Sequence, residues 1–104
     1  ESRHRLKAEV NWARDEGLRT SVQGVVAALE GMKLRPDREA ILEFAPYPIL
    51  LIASKKDSVL PFEMLQEQME HRAVKPLILE EGHMSHLEEP ESLVQGLKQF
   101  LYDL

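Results

Sequence analysis

Two side chains that can exchange a proton follow two apolar runs of this sequence. Asp57 comes just after the run 49–53, and His83 comes just after the run 77–79. Uninterrupted apolar runs of this length are typical of strands in a parallel sheet, whose carboxyl ends share one edge. Neighbouring strands lie about 4.8 Å apart, so we expect the carboxylate and the imidazole to meet. An aspartate that orients a histidine and stabilises its charged form supplies two of the three groups of a nucleophilic triad.

The segments between these residues predict how the two strands are connected. A polar loop follows the first strand, and a helix is predicted over about 61–72 because a proline can open a helix. The second strand is predicted over 75–80, followed by a loop over 81–89 that is rich in histidine and glutamate. A last helix begins at Pro90. A strand–helix–strand crossover joins parallel strands, so the sequence predicts an α/β architecture.

The first part of the chain predicts helices only. Apolar residues recur at helical spacing over roughly 3–15, 18–32 and 38–44. We expect Gly17 to end the first of these helices and Asp37 to cap the third.

The composition changes at the segment Pro46-Tyr47-Pro48, which favours extended backbone. We therefore divide the chain into a helical part, 1–45, and a strand-containing part, 46–104. Two apolar parallel strands need cover on both faces and further strands at their edges. We expect the chain to be an incomplete domain, which either belongs to a larger α/β protein or assembles with copies of itself as a homo-oligomer.

Composition excludes several classes of partner and site. The 104 residues carry a net charge of −5, and the acidic excess lies in 46–104. No basic stripe could neutralise phosphates, so we expect no nucleic-acid partner. The longest apolar run, 46–53, is too short to cross a bilayer, and no signal peptide is visible. The absence of cysteine removes thiolate chemistry and fits a cytoplasmic location, which we expect.

The segment 48–61 resembles the seventh strand and acid loop of the α/β-hydrolase family, which usually reads Gly-x-x-Asp-x-x-x-Pro. Asp57 and Pro61 match this pattern, and Ser54 stands where glycine is usual. The segment 82–91 is similar to the family's Gly-His-x-x-x-x-Glu-x-Pro motif. The two motifs come in the family order, with one helix between them and one after.

This resemblance implies a fold and an activity. Residues 46–104 would form the C-terminal strand-helix-strand-helix part of the hydrolase sheet, and 1–45 would be helices derived from the cap or lid. His83 would be the catalytic base and Asp57 the acid that orients it. The reaction would be hydrolysis of an ester or another acyl substrate, a small molecule, by a Ser-His-Asp triad without a cofactor.

The nucleophile of that triad is absent from the sequence. None of the six serines lies in a Gly-x-Ser-x-Gly frame, and the family order puts the nucleophile and the oxyanion-hole loop before the acid. The chain also begins without methionine. We expect it to be the C-terminal portion of a serine-type hydrolase, inactive by itself. The alternative is a catalytically silent binding or dimerisation module of the same fold.

Other interpretations of the same residues remain open. Asp57 could serve only as a turn former, and His83 could simply be solvated. His83 and His86 could bind a metal ion together with nearby glutamates, although we expect no metal site. We expect His86 to shape the pocket or bind a glutamate, and Glu88 to anchor the histidine loop by hydrogen bonds. Two further apolar residues, in the predicted helices, could line a substrate pocket or belong to the core: Trp12 and Met32.

Overall fold

The computed structural model describes residues 2–104, which form two compact units. The first unit ends at Asp37 and contains helices α1 (Ser2–Arg5), α2 (Lys7–Arg19) and α3 (Val22–Leu34). The second unit, Arg38–Leu104, contains strands as well as helices. Its elements in chain order are α4 (Ala40–Phe44), β1 (Ile49–Ser54), α5 (Phe62–Met69), β2 (Val74–Leu79), α6 (Ser85–Glu88) and α7 (Pro90–Tyr102). The chain is therefore a mixed helix-and-strand protein, compatible with an α/β class.

The two strands form a parallel sheet. Their register pairs Ile49 with Val74 at one end and Ser54 with Leu79 at the other. Helix α5 connects the strands and packs against both, while α7 packs against β2. The predicted parallel pair, with a helical crossover, is confirmed.

The hydrogen bonds at the two ends of the sheet show which backbone groups face outward. The Ile49 N–H donates to the Ala73 carbonyl at 2.8 Å, and the Lys55 N–H donates to the Leu79 carbonyl at 2.9 Å. Successive residues of a strand point their backbone groups to opposite edges. The outward edge of β1 therefore carries the N–H groups of Leu50, Ile52 and Ser54. The outward edge of β2 includes Pro76, which has no N–H to offer.

Few side chains of the second unit are buried. The buried residues among 38–104 all lie in the sheet: Ala53, Ser54, Val74 and Leu79. Ile52 and Ile78 keep 37% and 43% of their surface exposed, and the register puts them on opposite faces. Neither face of this apolar sheet is thus completely covered by the described residues.

A glycine allows α7 to approach the sheet closely. A Cβ atom added at Gly96 would lie 2.4 Å from a methyl carbon of Leu77, which is far inside van der Waals contact. The hydrogen-only side chain therefore sets the distance between the last helix and β2.

Several predicted helix ends are wrong. Helix α2 continues through Gly17 to Arg19, although Gly17 was expected to end it. The predicted start of the second helix at residue 18 is wrong because Ser21 caps α3 by accepting a hydrogen bond from the Gly24 N–H at 3.0 Å. Glu39, and not Asp37, occupies the position before α4.

Further differences concern the second unit. Helix α5 is shorter than the predicted 61–72, and Pro61 precedes it instead of forming its first turn. The predicted loop 81–89 contains one helical turn, α6. Helix α7 begins at Pro90 as predicted. In residues 2–104 we find no helix with the length and apolar character needed to cross a membrane.

Candidate active site

Asp57 and His83 are in direct contact. Nδ1 of His83 lies 2.8 Å from Oδ2 of Asp57. The strand pairing continues into both loops, since the Lys56 N–H donates to the Glu81 carbonyl at 3.0 Å beyond the ends of β1 and β2. This extension carries the two loops side by side, and the predicted meeting of carboxylate and imidazole is confirmed.

The Asp57 carboxylate is held by its own loop as well as by the histidine. Its Oδ1 atom accepts hydrogen bonds from the backbone N–H groups of Val59 at 2.8 Å and Leu60 at 2.9 Å. Its side chain is only 8% exposed. Asp57 therefore has both of the roles considered for it. One carboxylate oxygen, Oδ1, holds the turn, and the other, Oδ2, contacts His83.

The surroundings of Asp57 favour its ionised form. Partial removal from water raises the pKa of the carboxyl, but the Leu60 N–H, the His83 ring and the Val59 N–H together outweigh this effect. The net result is a pKa below the ordinary value of 3.8. An ionised carboxylate can only accept hydrogen bonds, so Nδ1 of His83 carries the proton between them. In the neutral ring, Nε2 then keeps its lone pair and can act as a base.

The lowered pKa of Asp57 predicts a pH-dependent stability. Because the folded pKa lies below the unfolded one, the stabilisation is complete above about pH 5 and is lost as the pH falls through the folded pKa. Asp57→Asn keeps an oxygen acceptor for the loop but cannot titrate. We expect urea unfolding midpoints of the wild type to decrease between pH 5 and pH 3 more steeply than those of Asp57→Asn. Parallel curves for the two proteins would contradict this prediction.

Two consecutive glutamates hold the histidine loop. Glu88 accepts a hydrogen bond from the Met84 N–H at 3.1 Å, which agrees with the predicted anchoring by this residue. Glu89 accepts one from the Glu81 N–H at 2.7 Å. This role of Glu89 was not predicted, and its only local signal in the sequence is its position directly before Pro90. His86 lies exposed on α6.

Two ion pairs that were not predicted connect the loops at the strand ends. Nζ of Lys55 lies 2.7 Å from Oε1 of Glu80, and Nζ of Lys56 lies 3.3 Å from Oε1 of Glu81. Both lysines are at least half exposed, so each pair contributes at most about 1 kcal/mol.

The side chains proposed as metal ligands do not assemble into a cluster. Within the part of the chain that the structure describes, no group of three histidine, cysteine or acidic residues could hold a metal ion. Glu81 pairs with Lys56, whereas Glu88 and Glu89 accept backbone N–H groups.

The two apolar residues considered for a pocket lie in the first unit. Trp12 on α2 and Met32 on α3 are 55% and 68% exposed, so the described residues do not bury either side chain. The helices of this unit bury little apolar surface within it, because Leu6 is its one buried hydrophobic residue among those described. Their role in a substrate pocket stays a prediction.

Comparison with known proteins gives no further identification. No protein-family model matches this chain, and no curated protein matches it. The resemblance to α/β hydrolases thus depends on the two motifs and stays a prediction.

Proposed function

We propose that this chain carries the acid and the base of a Ser-His-Asp triad in an α/β hydrolase that acts on a small ester or related acyl substrate. The observation that supports the proposal is the 2.8 Å contact between Asp57 and His83 beyond the ends of two parallel strands. Parallel sheets bind ligands and hold catalytic groups at this edge. The lowered pKa of Asp57 supports the role of a permanent orienting carboxylate.

The proposed reaction has two proton transfers in each half. Nε2 of His83 takes the proton of a serine hydroxyl while the serine oxygen forms a bond to the acyl carbon. The same proton passes to the leaving alkoxide as the ester bond breaks. Water then attacks the acyl-serine, Nε2 takes its proton, and the serine recovers a proton as the acid departs. Asp57 stays ionised throughout and stabilises the charged ring, and no cofactor is required.

The serine and the oxyanion-hole donors come from a part of the protein outside these 104 residues. The finer fold that we propose follows from this requirement. Strands β1 and β2 would be the last two strands of an α/β-hydrolase sheet, with α7 as its final helix. Residues 1–45 would be helices from the cap or lid, and the protein would be cytoplasmic.

One observation favours the second candidate, a catalytically silent module used for binding or dimerisation. Many large apolar side chains are exposed, including Ile52 and Ile78 on the two faces of the sheet. Surfaces of this kind mark interaction sites. The two candidates differ in whether a nucleophilic serine accompanies His83.

Labelling of the active serine distinguishes the candidates. The gene product that contains residues 1–104 is treated with a fluorescent fluorophosphonate, and the modified residue is mapped by mass spectrometry. We expect one labelled serine outside residues 1–104 and loss of labelling in His83→Ala. His71→Ala, in the connection between α5 and β2, is the matched control and should label normally. Unchanged labelling of His83→Ala would show that the triad assignment is wrong, and no labelled serine at all would favour the silent module.

The 104-residue chain by itself is expected to have no esterase activity. It lacks the nucleophile and the oxyanion donors that together supply most of the rate acceleration. Hydrolysis of p-nitrophenyl acetate should proceed at the same rate with the chain as with its His83→Ala variant. A burst of one acyl group per chain, absent from the variant, would reveal a nucleophile within the 104 residues.

A further inference from the structure

We propose that Glu88 and Glu89 act as positioning residues for His83. Their two carboxylates, called the carboxylate brace below, hold the backbone on both sides of His83 and so keep its ring against Asp57. The catalytic meaning of this inference rests on the proposed function. The geometry of the brace is independent of that function, because all of its contacts lie within the second unit.

The two members of the brace bind the backbone on either side of the histidine. Glu89 accepts the Glu81 N–H, two residues before His83, and Glu88 accepts the Met84 N–H, one residue after it. Hydrogen bonds to an ionised acceptor are about twice as strong as those between neutral groups. The bond between Glu81 and Glu89 is partly buried, so water competes less for it, whereas the bond between Met84 and Glu88 is exposed. The histidine backbone is thereby fixed at two points.

Gly82 gives the brace its room. A Cβ atom at this position would lie 2.7 Å from Oε2 and 3.2 Å from the carboxyl carbon of Glu88. Gly82 does not have a positive φ, so the backbone conformation does not require glycine there. An alanine there would instead displace the Glu88 carboxylate from its present position. Gly82, directly before His83, thus leaves space for the Glu88 carboxylate.

The brace is itself anchored to the sheet. The Glu89 N–H donates to the Ser85 carbonyl at 2.8 Å, and the Glu89 carbonyl accepts from the Leu93 N–H at 3.0 Å at the start of α7. Helix α7 packs on β2, where Gly96 meets Leu77. The path from β2 through the His83 loop, the brace and α7 therefore returns to β2. A closed path of this kind transmits the rigidity of the sheet to the ring.

The ring tautomer of His83 is the readout that separates positioning from simple loop stability. In the ¹⁵N-labelled full chain at neutral pH, long-range ¹⁵N–¹H correlation should show the proton on Nδ1, facing Asp57. Glu88→Ala and Glu89→Ala should each shift His83 toward the Nε2–H form and accelerate amide exchange at Glu81 or Met84 by at least about tenfold. The matched control is Glu91→Ala, an exposed carboxylate on the first turn of α7, which should change neither.

Conservative variants complete the test. Glu89→Gln keeps an oxygen acceptor and should restore the wild-type tautomer, while Gly82→Ala should reproduce the effect of Glu88→Ala by displacing its carboxylate. A wild-type tautomer in both alanine variants, with faster exchange only, would overturn the proposal. If an alanine variant does not fold, amide exchange in the wild type tests the proposal. Fast exchange of the Glu81 and Met84 amides in the wild type would also overturn the proposal. Failure of the serine-labelling experiment leaves these tautomer results intact, so the two proposals fail separately.

Discussion

With His83 as the triad base that we propose, its replacement by alanine in the complete protein should lower kcat by about 10⁴–10⁶-fold, the loss typical for a member of a catalytic triad. His83 contacts Asp57 through Nδ1 and has 42% of its side chain exposed, so its removal leaves no buried cavity. We therefore expect the variant to fold, with an unfolding midpoint in urea lowered only by the loss of the hydrogen bond to Asp57. Measuring kcat/KM together with the unfolding curve separates loss of catalysis from loss of structure.

His86→Ala is the matched comparison for this prediction. His86 lies three residues further along, exposed on α6, and we expect its replacement to lower activity by at most about tenfold. A site that used both histidines as metal ligands would behave differently, since either substitution and a chelator would each abolish activity. Full activity of His83→Ala, or loss of wild-type activity on chelation, would refute the triad.

The isolated chain should self-associate at micromolar concentration. The outward edge of β1 carries the N–H groups of Leu50 and Ile52, which point away from β2, and the Ile52 side chain is exposed beside them. Strand edges of this kind pair with other strands. Pairing of β1 with a second copy in the antiparallel sense would convert two two-stranded sheets into one sheet of four strands. Sedimentation velocity over a range of concentrations should therefore show a dimer or a larger species, and a folded monomer throughout would contradict the prediction.

Two proline variants locate the contact. Ile52→Pro removes an outward N–H from β1 without breaking the ladder to β2, just as Pro76 sits in β2 without breaking it. We expect this variant to be monomeric. Ile78→Pro makes the same chemical change on the outward edge of β2, with similar exposure, and should still associate. Loss of association in both variants would mean that the β1 edge is not the contact.

The position of the candidate site could be predicted from the sequence because it depends on local patterns. Two apolar runs identified the strands, and parallel pairing then brought Asp57 and His83 to one edge. The role of Glu89 could not be predicted, because its bond to Glu81 depends on how α7 is placed against β2. Neither helical periodicity nor a sequence motif indicates how close Glu89 lies to the Glu81 backbone.

The errors in the helical part have similar physical reasons. Glycine inside a helix costs only about 1 kcal/mol, so α2 can continue through Gly17 when its neighbours favour the helix. The hydroxyl of Ser21, one side chain, decides where α3 begins. The exposure of Trp12 and Met32 in this chain could not be predicted either, since helical spacing indicates only which residues share a face. It does not state whether the described chain covers that face.

Pro76 makes the two edges of the sheet unequal in their ability to pair with a further strand. An additional strand at the β2 edge would meet a carbonyl-only position in the middle of the ladder, whereas the β1 edge has a donor at every outward residue. Fibrils grow because each added strand exposes a new edge equivalent to the one that it covered. Here two copies joined through β1 would expose only the proline-containing edges, so the joining of a second copy would end the assembly. Association through strand edges alone would therefore stop at two copies because of one imino acid, Pro76.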